Sequence, residues 1–412
     1  MWARPANVRT VPLGYLTGVL IVAVITALCL FPLRHTPGQG RFSWAVTMVF
    51  NEVPQLVLAG LVAATFLAFA EGDIDGPAGW FVVVLAGLTA VALGVLGWRT
   101  LLARPTLAGA LSRGLGPDWR SEVDPARMAR LRNDPDWKRV LFLPWTSRRR
   151  DVVRVKNVAY GDAGRGHLLD LYLPRAGVAD GPVLVYFHGG RLDGGRSHGG
   201  GFRSGGKNRE ARALLHRLAA QGWVCLSANY RPAPGARWPD QHIDAKQAIA
   251  WARDHVPSYA EHADASTIFV AGSSTGAHLA AMSAVTPGDP DLQPEFEDVD
   301  TTVAGAICLY GYYGPLDGAP ASSPLSYDDA NAAPLFVVHG DQDTVTPVED
   351  ARALADGVWR SSGNPVVYAE LPGAQHTFDL FGSVRFEAVV DGVEAFAAWV
   401  ATARDRAANE RR

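Results

Sequence analysis

Only three cysteines occur in 412 residues, and Cys29, Cys225 and Cys308 all sit inside apolar runs, which excludes a disulfide framework. They read as small buried hydrophobes. No His/Cys spacing fits a metal site, so no metal or other cofactor is expected. No stretch resembles a nucleic-acid-binding module either, and nucleic acid is not an expected partner. The charge that is present is divided unevenly: residues 1–150 carry 16 Lys+Arg against 9 Asp+Glu, and the remainder 22 against 32. A basic front beside apolar stretches points to contact with anionic membrane lipids.

The length suggests two or three structural units, and composition says where to cut. Residues 1–105 read as a transmembrane helical segment, 106–150 as a basic juxtamembrane linker, 151–405 as an α/β domain and 406–412 as a charged tail. Residues 11–31 are uncharged and long enough to cross a hydrocarbon core of about 30 Å. That stretch exceeds a signal-peptide apolar region and no small-residue cleavage site follows it, so it reads as a retained helix. Residues 79–98 form a second span, bracketed by Trp80 and Trp98 at interface depth. Between them, 45–70 is apolar but interrupted by Asn51, Glu52, Pro54 and Gln55, which predicts a helix start or kink near Val53. Glu52 is expected to reach the lipid interface rather than to form an intramembrane site.

Three spans put the termini on opposite faces. Arg34, Arg41, Arg99, Arg104 and Arg113 share one face, against Arg4, Arg9, Glu71, Asp73 and Asp75 on the other. This balance points to a multi-pass protein of the cell membrane with the part from residue 151 onward in the cytoplasm. Residues 99–150, with 12 Lys+Arg interleaved with Trp119, Trp137, Phe142 and Trp145, read as a linker along the lipid surface. A solvated helical spacer is the alternative.

From residue 151, short apolar runs alternate with amphipathic segments. Strands are predicted at 152–160, 168–173, 183–187, 223–228, 268–270, 304–309, 335–338 and 366–371. Helices are predicted over 209–220 and 241–253, from about 275, from about 347 and over 384–402. The pattern argues for a mostly parallel sheet covered by helices on both faces, with ligands bound at the carboxyl ends of the strands.

Chemistry gathers at those ends. Gly272-Ser273-Ser274-Thr275-Gly276 fits G-x-S-x-G between an apolar run and a helix, the setting in which a serine is presented on a tight turn. A serine hydroxyl needs a base, and three histidines follow Ser274. His278 lies in the same helix and His339 closes a buried run, which leaves His376 as the general base. The acid comes from His339-Gly340-Asp341-Gln342-Asp343, where Asp341 and Asp343 both compete to accept the imidazole N–H. Backbone donors for an oxyanion are expected from Gly189, Gly190 and Thr275. His188 is read as holding that loop, and the Gly-rich stretch 194–206 as a rim of the active-site mouth.

With these residues in place, the chain resembles the hormone-sensitive-lipase-like esterases, specifically the membrane-anchored lipase/esterase group of actinobacteria. The matching stretches are HGGR at 188–191, WVCLSANYRPAPGARWPD at 223–240, GSSTGAHLAA at 272–281, HGDQDTVTPVEDAR at 339–352 and VVYAELPGAQHTFDLFGS at 366–383. The resemblance implies an α/β-hydrolase fold, cofactor-free hydrolysis of a small-molecule or lipid ester through an acyl-enzyme, and Asp343 as the triad acid. An acyltransferase or peptidase with the same triad, or a catalytically silent lipid-binding module, are the alternatives. Arg191-Leu192 and the lengthened Gly-rich segment depart from the family pattern and bear on the substrate pocket.

Overall fold

A computed structural model describes residues 13–131, 137–146, 148–177, 181–190, 206–208, 210–327 and 329–411. The apolar runs become β1 (Val152–Ala159), β2 (Leu168–Pro174), β3 (Pro182–Phe187), β4 (Val224–Ala228), β5 (Asp264–Ser273), β6 (Gly305–Leu309), β7 (Leu335–Gly340) and β8 (Val366–Leu371). They form one sheet in the order β1-β2-β4-β3-β5-β6-β7-β8. β1 and β2 pair antiparallel, β2 meets β4 antiparallel, and every later pairing is parallel. Residues Val183 to Phe187 are buried on both faces of the sheet, which is why the run shows no polar alternation.

Helices α9 (Arg212–Ala220), α10 (Asp240–Tyr259), α11 (Thr275–Val285), α12 (Val348–Ser361) and α13 (Val384–Glu410) cover the two faces. This is the α/β-hydrolase arrangement. The register decides where the chemistry lies. Phe187 pairs with Gly272, which sets the loop after β3 beside the turn after β5. Gly340 pairs with Leu371, which sets the loops after β7 and β8 side by side.

The front of the chain is helical: α1 (Leu13–Leu30), α2 (Pro37–Glu52), α3 (Pro54–Ala70), α4 (Gly76–Leu101), α5 (Ala103–Leu115), and three short helices α6 (Trp119–Glu122), α7 (Pro125–Arg130) and α8 (Trp137–Phe142). Two helical stretches, Leu13–Leu30 and Gly76–Leu115, are long and apolar enough to cross a membrane. A third span exists if α2 and α3 count as one broken span, bent by 81°. The break falls at Val53, because Pro54 cannot donate to the preceding turn and opens a new helix instead.

One sequence expectation is corrected by the core packing. Residues 103–123 do not form a linker lying along lipid. Ala103, Leu107, Ala110, Leu111 and Leu115 recur at helical spacing, and with Trp119 and Val123 they are buried in the same core as the sheet. Their basic neighbours find acidic partners on α13 instead of phosphates, with Arg104 3.0 Å from Asp391 and Arg127 2.6 Å from Asp405. Trp137, Phe142 and Trp145 do remain exposed. Helix α13 runs on to Glu410, so the exposed charged residues of 406–410 are helical.

Candidate active site

Ser274 sits between β5 and α11 with φ 55° and ψ −118°, a conformation that a non-glycine residue adopts only when its surroundings hold it there. Its own N–H donates to the Leu309 carbonyl at 2.9 Å. The flanking glycines are required sterically: a Cβ on Gly272 would stand 2.1 Å from Gly276, and one on Gly276 would stand 2.0 Å from the Phe187 carbonyl oxygen. The pentapeptide is therefore a packing constraint as much as a motif.

The loops after β7 and β8 bring the other two residues to this turn. His376 Nε2 lies 3.0 Å from Ser274 Oγ, and His376 Nδ1 lies 2.7 Å from Asp343 Oδ2. All three side chains are largely buried. The Asp343 carboxylate also accepts the N–H groups of Val345 and Thr346 at 2.7 and 2.9 Å, and the Thr346 hydroxyl at 2.9 Å. Burial by itself would raise the Asp343 carboxyl, but the charges and hydrogen bonds of His376 and His339 outweigh it and hold it well below the usual carboxylate range. Asp341, the rival acid, turns away and accepts the Gly373 N–H at 2.7 Å.

The imidazole of His376 is enclosed by two rings that sequence reasoning missed. Tyr310 meets it edge-to-face at 4.7 Å and Trp44 at 6.0 Å between centroids. His339, which closes the buried run of β7, also reaches the acid, with its Nε2 3.3 Å from Asp343 Oδ2.

The loop after β3 lies over Ser274. His188 donates from Nδ1 to the Gly189 carbonyl, stacks on Tyr230 at 4.8 Å, and is pushed down to about 4 by burial, so it is neutral. The Tyr230 hydroxyl donates to the His188 carbonyl at 2.9 Å. Gly189 departs from expectation, because its N–H donates to the Glu210 carboxylate and so does not point at the serine. Gly189 still matters by lacking a side chain, since a Cβ there would stand 3.2 Å from the Ser274 Cβ. Gly190 is half-buried next to it. Thr275 is the first residue of α11, where a backbone N–H has no acceptor within its own helix. Arg191 and all of the Gly-rich stretch except Gly206 lie outside the described residues.

Beneath the turn lies a pair of carboxylates that no spacing in the sequence announced. Asp379 accepts the Tyr310 hydroxyl, the Ser273 hydroxyl at 2.9 Å and the Ala211 N–H at 3.2 Å. Burial raises it. Glu210 is pushed up to about 8 by burial and by the charge of Asp379, against the lowering effect of the Gly189 N–H.

Comparison with known proteins adds an independent line. The BD-FAE family model matches residues 169–317. A probable carboxylic ester hydrolase, LipM of Mycobacterium tuberculosis, is 32% identical over 93% of this chain and 93% of its own length. Esterase LipQ of the same organism is 33% identical over 73% of this chain and 75% of its own, and esterase LipC is 35% identical over 64% and 69%. Among solved structures, a truncated carbohydrate esterase from gut microbiota matches with a TM-score of 0.50 at 22% identity, covering 59% of this chain and 96% of that one. That last likeness is one of fold.

Proposed function

The chain belongs to the hormone-sensitive-lipase-like esterases of the α/β-hydrolase fold, and on that premise we propose that it hydrolyses carboxylic esters through a Ser274–His376–Asp343 triad at a membrane surface. The observation that carries the reading is the relay of 3.0 and 2.7 Å from serine oxygen to imidazole to carboxylate. In the first half-reaction His376 takes the Ser274 proton as the hydroxyl attacks the ester carbonyl, and Asp343 stabilises the resulting imidazolium. Collapse of the tetrahedral intermediate expels the alcohol, which receives that proton. In the second half-reaction His376 deprotonates water, which attacks the acyl-enzyme, and the imidazolium returns that proton to Ser274 Oγ as the acid leaves.

The N–H groups of Gly190 and Thr275 serve as oxyanion donors, and the absent side chain of Gly189 leaves the space. The positive end of α11 adds to their effect. The substrate is a small-molecule or lipid ester, and the apolar helices α1, α3 and α4 hold the enzyme in the cell membrane as a multi-pass protein with its catalytic part in the cytoplasm. Proteolysis of intact cells against lysed cells tests that orientation.

Chromogenic short-chain ester turnover tests the activity. Ser274→Ala is expected to abolish it while leaving the thermal transition in place. A mutant that keeps turning over the ester refutes the assignment.

A further inference from the structure

Helix α2 lies between two apolar helices in sequence, yet one of its faces is spent on the catalytic loops. Its buried residues, Gly40, Ser43, Trp44, Thr47, Asn51 and Glu52, recur at helical spacing and so share one side. That side meets the acid loop first. The Thr344 hydroxyl donates to the Gly40 carbonyl at 2.8 Å, and a Cβ on Gly40 would stand only 2.2 Å from the Thr344 carbonyl oxygen. One turn later the same side meets the base loop. The Trp44 Nε1–H donates to the His376 carbonyl at 3.0 Å and to the Thr377 hydroxyl at 2.9 Å.

Thr377 has φ 61°, a left-handed conformation costly for a β-branched residue, so the chain immediately after His376 needs an outside hold. Trp44 supplies one. Its indole also stands edge-on to the imidazole, at 83° between planes. A further link ties the two loops together: Gln375 Oε1 accepts the Thr344 N–H at 2.7 Å and the His376 N–H at 3.0 Å. Helix α2 therefore presses on both ends of one hydrogen-bonded unit that carries Asp343 and His376.

We propose that Trp44 is a positioning residue of the esterase, and that the membrane-side helix α2 completes the catalytic centre in addition to tethering it. The inference rests on the triad reading above. A histidine held only by its loop could swing by fractions of an ångström, and misplacement of about 1 Å can cost on the order of 100-fold in rate. The effect is expected in the chemical step, because Trp44 holds the loop that carries the base.

The test uses the full-length protein in detergent or nanodiscs, with active sites counted by phosphonate titration and turnover followed with a p-nitrophenyl ester. Trp44→Phe keeps an aromatic ring and removes the donor. It is expected to lower kcat per titrated site by roughly 5- to 100-fold with KM within about twofold. Gly40→Ala, which keeps the Trp44 side chain but forces α2, and Trp44 with it, away from the acid and base loops, is expected to do the same. Phe42→Ala, on the exposed side of the same helix, is expected to change neither constant. A purely structural role would lower the titratable fraction and leave kcat per site untouched; that result in Trp44→Phe overturns the proposal. If Trp44→Phe yields no titratable protein, Gly40→Ala decides by the same criterion. Failure of the wild-type protein to take up phosphonate at Ser274 would instead sink the triad reading.

Discussion

Glu52, in the last turn of α2, and Arg385, in the first turn of α13, form an ion pair whose side chains are only 3% and 1% exposed. Ser383 donates to the other Glu52 oxygen at 2.7 Å, and Arg385 reaches the Asn51 and Pro372 carbonyls at 3.3 Å. The pair pins the end of α2 to the segment that follows the base loop. Removing one partner strands a buried charge, so Arg385→Met is expected to destabilise the protein by about 3–5 kcal/mol. Adding Glu52→Leu should recover most of that loss. Thermal unfolding of the purified variants measures both, and a harmless Arg385→Met would contradict the account.

The two candidate acids make different predictions. Asp343→Asn leaves an acceptor near His376 but withdraws the negative charge that stabilises the imidazolium, so kcat is expected to fall by about 1,000- to 10,000-fold. Asp341→Asn still accepts from Gly373 and is expected to keep kcat within about threefold. Because the Asp343 carboxyl sits well below the ordinary range, its share of stability is present above about pH 4 and lost only as pH falls through the depressed value. Steady-state kinetics of the two variants side by side distinguish the roles.

Glu210 shows the opposite sign. Its folded pKa of about 8 lies above the unfolded value of about 4.3, so the folded state holds the proton more tightly. The stability it contributes is complete below about pH 4 and disappears as pH rises through about 8. The Tm of the wild type relative to that of Glu210→Gln, whose amide oxygen can still accept from Gly189, is therefore expected to decline between about pH 5 and about pH 9. Parallel Tm curves for the two proteins would show that Glu210 carries no such linkage.

Helix α5 separates a core element from a surface linker. Leu111 is buried with Leu107 and Leu115 against the sheet, so Leu111→Ala is expected to cost about 2–5 kcal/mol. A residue lying on lipid or in solvent would cost no more than about 0.5 kcal/mol. Denaturant unfolding of the detergent-solubilised protein reads the difference.

Much of the fold is legible in the sequence, because each central strand is a short, fully apolar run and each covering helix has its own periodicity. β5 starts at Asp264, earlier than the apolar run 268–270, since its first residues lie at the sheet margin, where polar side chains cost nothing. The nucleophile turn is legible for a steric reason, the two glycines that only backbone crowding explains. Asp341 and Asp343 could not be separated by spacing alone: they sit two residues apart on one turn, and side-chain direction is a property of the folded loop. The resemblance named Asp343.

What stayed hidden are contacts with no local signature. Trp44 meets His376 across 332 residues and Glu52 meets Arg385 across 333, and neither partner marks the other in sequence. The same holds for Glu210 at Gly189, where a buried carboxylate occupies an N–H that its motif assigned to the oxyanion. The buried face of α5 did leave a mark in its helical spacing, but the neighbouring arginines and tryptophans favoured a lipid reading.

The most direct measurement is to map the site of covalent modification by a fluorophosphonate in the full-length protein, by mass spectrometry of the labelled peptide. The account predicts stoichiometric attachment to Ser274, lost in Ser274→Ala and slowed at least about 100-fold in His376→Ala, since no base then activates the hydroxyl. Label on another residue, or unchanged labelling without His376, would contradict it.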